Sequence, residues 1–71
     1  MMPSFSPELI STMRAALDDV MTHIPVDQAT SGIKIRLAEI ILQAATEGQT
    51  SYELLYAAAF GQIQAVLALF T

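Results

Sequence analysis

Apolar side chains recur every three or four residues along three stretches of the chain, and this spacing is typical of amphipathic helices. The stretches predict helices over roughly residues 7–24, 28–47 and 51–70. No segment alternates apolar and polar side chains over more than a few residues, so β-strands are not expected. The pattern predicts an all-α, three-helix bundle that spans residues 1–71 as one domain, with residues 1–5 as a flexible N-terminal arm.

Capping residues indicate where the first helix begins and ends. Ser6, Pro7 and Glu8 place a side-chain acceptor, a proline with a helical φ and an acid at its start. Pro25 disfavours the helical conformation of the residue before it, so the helix is expected to end one or two residues earlier. The arm would be ordered only if Phe5 packs onto this helix.

The second and third helices have similar signals. The second is expected to start between Asp27 and Ser31, either of which is a suitable cap, and Gly48 is suited to the left-handed position that closes it. Thr50 and Glu53 have the spacing of a capping box, which predicts that the third helix begins directly after Thr50.

The third predicted helix is hydrophobic nearly all round. From Leu54 to Thr71 its 18 residues carry no charge, whereas nine of the ten charged side chains lie in residues 1–47. Two short helices cover only one face of a third, and a large exposed apolar face usually marks an interface. We therefore expect a homodimer that associates through this helix; the alternative is a monomer whose third helix is covered by both neighbours. The core or interface candidates are Leu55, Ala59, Ile63, Val66 and Phe70.

Residues 54–71 also allow a different hypothesis, a membrane-associated protein with a C-terminal tail anchor. A helix of this length extends about 27 Å, slightly short of a hydrocarbon core of about 30 Å. Gln62 and Gln64 lie near its middle, where burying their amides without partners is costly. No Lys or Arg flanks either end, as anchors normally require. Membrane association is therefore the less favoured alternative.

The charge of the chain argues against a nucleic-acid partner. Seven acidic and three basic residues give a net charge of −4, whereas binding to DNA or RNA depends on Lys and Arg that neutralise phosphates. Residues 44–50 and the third helix nevertheless resemble the turn and recognition helix of a helix-turn-helix. A DNA-binding helix-turn-helix is a second alternative, which the acidic charge disfavours.

Composition excludes two broad classes of protein and bears on location. Hydrophobic residues make up 54% and charged residues 14% of the chain, which excludes a disordered polypeptide. There is no cysteine, so a disulfide scaffold and cysteine-based metal sites are excluded as well. The N-terminus lacks the basic and apolar regions of a secretory signal, and we expect a cytoplasmic protein.

The sequence contains little catalytic chemistry. His23, the only histidine, follows Asp19 by four residues, so the two side chains share a helix face, where histidine near a helix C-terminus is common. Neither a zinc-binding HExxH, a GxSxG elbow nor a glycine-rich phosphate loop is present. Tyr52, Tyr56 and Phe60 are interpreted as core packing. We expect no catalytic residue, no metal, no cofactor and no enzymatic activity.

Three segments of the chain resemble a group of small uncharacterised bacterial helical proteins. They are residues 5–8 (Phe-Ser-Pro-Glu), residues 13–19 (Met-Arg-Ala-Ala-Leu-Asp-Asp) and residues 38–48, preceded by Lys34. The resemblance covers roughly residues 5–60 and implies a short helical bacterial protein. It implies no activity, cofactor or functional residue.

Low charge and an apolar C-terminal helix, without catalytic motifs, favour one functional hypothesis. The sequence is interpreted as a non-catalytic helical module for protein interaction or regulation, which pairs with a second copy; an unidentified protein partner is a further hypothesis.

Overall fold

A computed structural model describes residues 5–70, and all of the regular structure in this range is helical. The helices are α1 (Pro7–Met21), α2 (Ser31–Thr46), α3 (Tyr52–Phe60) and α4 (Ile63–Leu69), with a short 3₁₀ turn at Val26–Gln28. The all-α prediction is confirmed, but the count of three helices is wrong because the third is divided in two. The predicted arm lies outside the described residues except for Phe5, which packs against the core.

The first helix begins as predicted and ends three residues earlier than residue 24. Its cap is Ser6, whose hydroxyl oxygen accepts a hydrogen bond from the Leu9 amide at 3.1 Å. After Met21 the backbone tightens, and the Ile24 amide donates to the Met21 carbonyl at 3.2 Å. Pro25 causes this change because its ring disfavours a helical conformation at Ile24. Ile24 is still buried, so the tight turn delivers it to the core.

The helix α2 starts at Ser31, at the end of the predicted range from Asp27 to Ser31 and three residues after the rough bound of 28. Its cap is Thr30 rather than Asp27 or Ser31, and the Thr30 hydroxyl oxygen accepts from the Ile33 amide at 3.4 Å. The closing glycine, Gly48, has a φ of +98°. Its amide and that of Gln49 donate to carbonyls of the last helical turn, each at 3.1 Å. This pair of bonds is the Schellman motif, in which a glycine adopts the left-handed conformation at low cost.

The predicted third helix, residues 51–70, is broken at Gly61 and Gln62. Ser51, not Thr50, caps α3, and its hydroxyl accepts from the Leu54 amide at 3.2 Å. At the break the Gln62 amide donates to the Ala59 carbonyl, three residues back, and the helix axis bends by 43°. Glycine is a poor helix former, so the segment yields there. The bend lays α4 against α2, while α3 packs against both α1 and α2.

The core is a single apolar cluster to which every helix contributes. Among the described residues no polar or charged side chain is buried. The buried residues are Ala16, Val20 and Ile24 from the first helix and its turn, Ile33, Leu37, Ile41, Ala44 and Ala45 from α2, Leu55 and Ala59 from α3, and Ile63 and Val66 from α4.

Two isoleucines in the first turns of α2 provide a matched test of this core. Ile33 is 2% exposed and Ile35 is 62% exposed. We expect Ile33→Ala to lower the free energy of unfolding by about 2–5 kcal/mol, since it removes buried methyl groups and leaves a cavity. Ile35→Ala should change it by no more than about 0.5 kcal/mol. Urea unfolding followed by circular dichroism measures both, and equal losses would contradict the packing described.

Candidate functional site

The five residues predicted for the core or interface fall into two groups. Leu55, Ala59, Ile63 and Val66 are buried within the single chain, where they line the surface that α3 and α4 turn toward the other helices. Phe70 is 55% exposed. These four buried residues therefore do not form the exposed apolar surface of the C-terminal region. Other side chains form it.

Phe70 lies over the first turn of α2. A Cβ atom built on Gly32 would approach Phe70 Cε2 to 2.7 Å, so the ring rests where glycine leaves room for it. A depression of about 160 Å³ adjoins the ring and is also lined by Leu67 and Thr30. The sequence pattern predicts one straight helix on which Phe70 and Val66 share a face. In the structure α4 ends at Leu69, so the Phe70 ring does not continue that face.

The side of α3 that faces away from the core presents Leu54, Ala57, Phe60 and Gly61, all exposed, and we call these four residues the outer face. Leu54 is 52% exposed and Phe60 46% exposed. Because Ala57 and Gly61 are small, the two large side chains flank a shallow surface. Glu53, in the first turn, is the one charged residue of α3.

Aromatic side chains from α3 stack beside the end of α1. The rings of Tyr52 and Tyr56 are 5.9 Å apart and those of Tyr56 and Phe60 are 5.5 Å apart, as expected for residues spaced by four on a helix. His23 meets Tyr56 and Phe60 edge to face at 6.1 and 5.4 Å. We call these four residues, together with Asp19, the aromatic edge. The predicted core aromatics therefore lie at the border of the bundle.

A hydrogen bond links the two helices of the aromatic edge: the Tyr52 hydroxyl donates to Asp19 Oδ2. This bond, together with partial desolvation and the negative charge of Asp19, raises the pKa of Tyr52 to about 12. Among the described residues no hydrogen bond joins Asp19 to His23. Asp19 is thus occupied by the tyrosine, and the arrangement connects helices rather than orienting a histidine base.

Metal-binding clusters are missing from the part of the chain that the structure describes. No group of three or more histidine, aspartate or glutamate side chains there could hold a metal ion. Carboxylates are spread over α1, α2 and the first turn of α3. The expectation that the protein has no cofactor stays a prediction.

An apolar groove runs between α1 and α2 on the exterior of the bundle, and it was not foreseen from the sequence. It encloses about 250 Å³. We call it the α1–α2 groove; its apolar lining is formed by Ile10, Met13, Leu17, Ala38, Ile41 and Leu42. Arg14 also lines it and is the one charged residue that does so. Both large side chains at its mouth, Ile10 and Leu42, are exposed.

A second depression, of about 490 Å³, lies between α2 and the C-terminal helices and has a mixed polar and apolar lining. On its α2 side Arg36 and Glu39 form an ion pair at 3.7 Å, and Gln43 donates to Glu47 at 3.1 Å. Its charged groups already interact along the exposed side of α2. It has the character of a solvated surface.

The length and apolar composition of the C-terminal helices bear on the membrane hypothesis. Within residues 5–70 no single helix is long and apolar enough to cross a bilayer. Tyr52–Phe60 and Ile63–Leu69 satisfy the length and composition requirements when taken together, although the 43° bend separates them. Both helices contribute residues to the core, as a helix of a folded domain does.

The helix that a helix-turn-helix would insert into DNA is α3. Its exposed side chains include Glu53, Leu54 and Phe60, and α3 has no Lys or Arg. Such a surface repels phosphate rather than neutralising it.

Comparison of the chain with protein-family models, with curated proteins and with solved structures finds no match.

The bond between Tyr52 and Asp19 predicts a pH dependence of stability. Because folding raises the pKa of Tyr52 to about 12, the bond stabilises the protein at and below the ordinary tyrosine pKa of about 10, and this contribution is lost as pH rises from about 10 to 12. We expect Tyr52→Phe to be less stable than the unmodified protein at neutral pH and to lose this difference above the raised pKa.

The ionisation itself can be followed by ultraviolet absorbance in Tyr56→Phe, which leaves Tyr52 as the one tyrosine. Adding Asp19→Asn to that variant should move the pKa back toward about 10. An unchanged titration would show that Asp19 does not control this hydroxyl.

Proposed function

We propose that the protein is a small, non-catalytic helical interaction module that self-associates through the outer face of α3. The observation that carries the proposal is an exposed apolar surface without charge. From Leu54 to Phe70 no described residue is charged, yet Leu54, Phe60, Leu69 and Phe70 all expose large apolar side chains. Exposed apolar patches on small soluble proteins usually mark interaction sites.

Charge favours a second copy as the occupant of this face. A chain with a net charge of −4 repels its own copy wherever two acidic surfaces meet. The exposed acids include Asp18 on α1, Glu39 in the middle of α2 and Glu47 directly after it. The four residues of the outer face are uncharged, and Glu53, one turn before Ala57 on the same side of α3, is the one acid at its edge; in an antiparallel two-fold pair the two Glu53 side chains lie at opposite ends, which limits like-charge contact.

The shape of the outer face also suits a helix pair. Ala57 and Gly61 have little or no side chain, which permits two helices to approach closely. Leu54 and Phe60 lie on either side of them and supply the area that would be buried. In an antiparallel pair, Leu54 of one copy would lie near Phe60 of the other, and the first-turn Glu53 residues would stand at opposite ends.

Sedimentation velocity over a range of micromolar concentrations tests the proposal. We expect the unmodified protein to form dimers and Leu54→Glu to sediment as a monomer, because two carboxylates would be buried near an apolar contact. An acid in the first turn of α3 favours the helix, so the variant should stay folded. Raising the salt concentration should strengthen the unmodified dimer by screening the net charge.

Ile35→Glu is the matched control. Ile35 is also a large exposed apolar residue, but it lies on α2, away from the outer face. The Ile35→Glu variant should dimerise as the unmodified protein does. A monomer mass for the unmodified protein at every concentration, or equal disruption by both variants, would show that the outer face is not a self-association surface.

A second candidate function is membrane association, which the combined length and composition of α3 and α4 support. It requires Leu55, Ala59, Ile63 and Val66 to leave the core and face lipid, so the folded domain would open. Flotation of the protein with phospholipid vesicles tests this candidate. Recovery with the vesicles, together with the loss of native unfolding behaviour, would favour it over the dimer.

A further inference from the structure

We propose that the α1–α2 groove is a binding site for an unbranched medium-chain carboxylate, with the alkyl chain in the groove and the carboxylate at Arg14. This site goes beyond the proposed self-association, since it lies on α1 and α2 while the outer face lies on α3. The two proposals can therefore fail separately.

The groove offers a chain-shaped apolar space. Ile10, Met13 and Leu17 follow one another along α1 at spacings of three and four residues and form one wall about 10 Å long. The opposite wall belongs to α2, where Ala38 leaves the room that a larger residue would fill. Such a space is filled by apolar atoms more favourably than by water, which needs polar partners.

The volume limits the length of the occupant. An apolar cavity of about 150 Å³ accepts benzene, which corresponds to about 25 Å³ per carbon atom. On that scale the α1–α2 groove, at about 250 Å³, has room for roughly ten carbon atoms. This capacity fits an alkyl chain of medium length.

Arg14 identifies the charge of the occupant. It is exposed, contributes its alkyl stem to the apolar lining with the guanidinium at the rim of the groove, and forms no ion pair with any described residue, whereas Arg36 is paired with Glu39. The side chain of a helical residue leans toward the N-terminus of its helix, so Arg14 reaches over the turn that contains Ile10. A guanidinium binds a carboxylate with two parallel hydrogen bonds.

Arg14 alone sets the headgroup preference of this position, because it acts against a net charge of −4. Asp18, one turn beyond Arg14 on α1, does not line the groove. An anionic headgroup is attracted to Arg14, and a cationic headgroup would be repelled there. An uncharged alcohol of the same chain length would bind through its alkyl chain alone.

Isothermal titration calorimetry with hexanoate, octanoate and decanoate, each below its micelle concentration, is the direct test. Each added methylene should tighten binding while the groove fills, by less than the roughly fourfold expected for complete burial, because the groove is open to solvent. Dodecanoate should gain little more, since roughly ten carbons fill the space. Decan-1-ol should bind about two- to fivefold more weakly than decanoate, the range expected for an exposed ion pair.

Variants locate the site. Arg14→Gln should weaken decanoate binding by the same two- to fivefold factor and leave decan-1-ol binding unchanged, and Arg36→Gln, on the second depression, should change neither. Ala38→Leu should fill the groove and abolish binding of both compounds, while Ala15→Leu, at an exposed position of α1, should not. If Ala38→Leu does not fold, Leu42→Asn at the exposed mouth replaces it and should weaken binding of both compounds.

Three outcomes would overturn the proposal. Absence of binding by decanoate at millimolar concentration would mean that the groove holds no such ligand. Binding that survives both Ala38→Leu and Leu42→Asn would place the ligand elsewhere. Conversion of a dimer to a monomer by Ala38→Leu in sedimentation would show that a second copy of the chain covers the groove.

Discussion

The rest of the structure depends on the burial of one apolar stripe, Leu55, Ala59, Ile63 and Val66, against α1 and α2. In 71 residues a single core supplies about 3–5 kcal/mol, so this stripe is a large part of what holds the helices together. The helix α3 packs against both α1 and α2, whereas α4 packs mainly against α2. The bend at Gly61 lets one uncharged segment serve both contacts, and it leaves the opposite side of α3 in solvent as the outer face.

Local signals in the sequence were sufficient for some helix ends. Ser6 and Gly48 act as predicted because each needs only its own neighbours: a hydroxyl within reach of a free amide, and a residue that tolerates positive φ. The caps Thr30 and Ser51 differ from the predicted ones, Asp27 or Ser31 for α2 and Thr50 for α3, because several polar side chains near each start could serve as the cap and backbone conformation decides among them. The break after Phe60 depends on how α4 docks against α2. The spacing of apolar residues in the sequence carries no information about that contact.

The surfaces were harder to foresee than the core. The spacing of apolar residues predicts which of them share a helix face, and four of the five candidates on the predicted face are buried. The α1–α2 groove depends on which flanks of two helices come together. The contact between Tyr52 and Asp19 joins residues 33 positions apart in the sequence. A four-residue aromatic spacing was visible, but its place at the border of the bundle was not.

The short length of α4 has a consequence for how the molecule opens. Isolated helices of fewer than about 12–15 residues are marginal in water, and α4 has seven. Its helical hydrogen bonds therefore persist only while it is docked on α2, so folding and docking of this element are one event. Protection of its amides against hydrogen exchange then reports the free energy of this coupled event, in which docking on α2 and the helix propensity of its residues are summed.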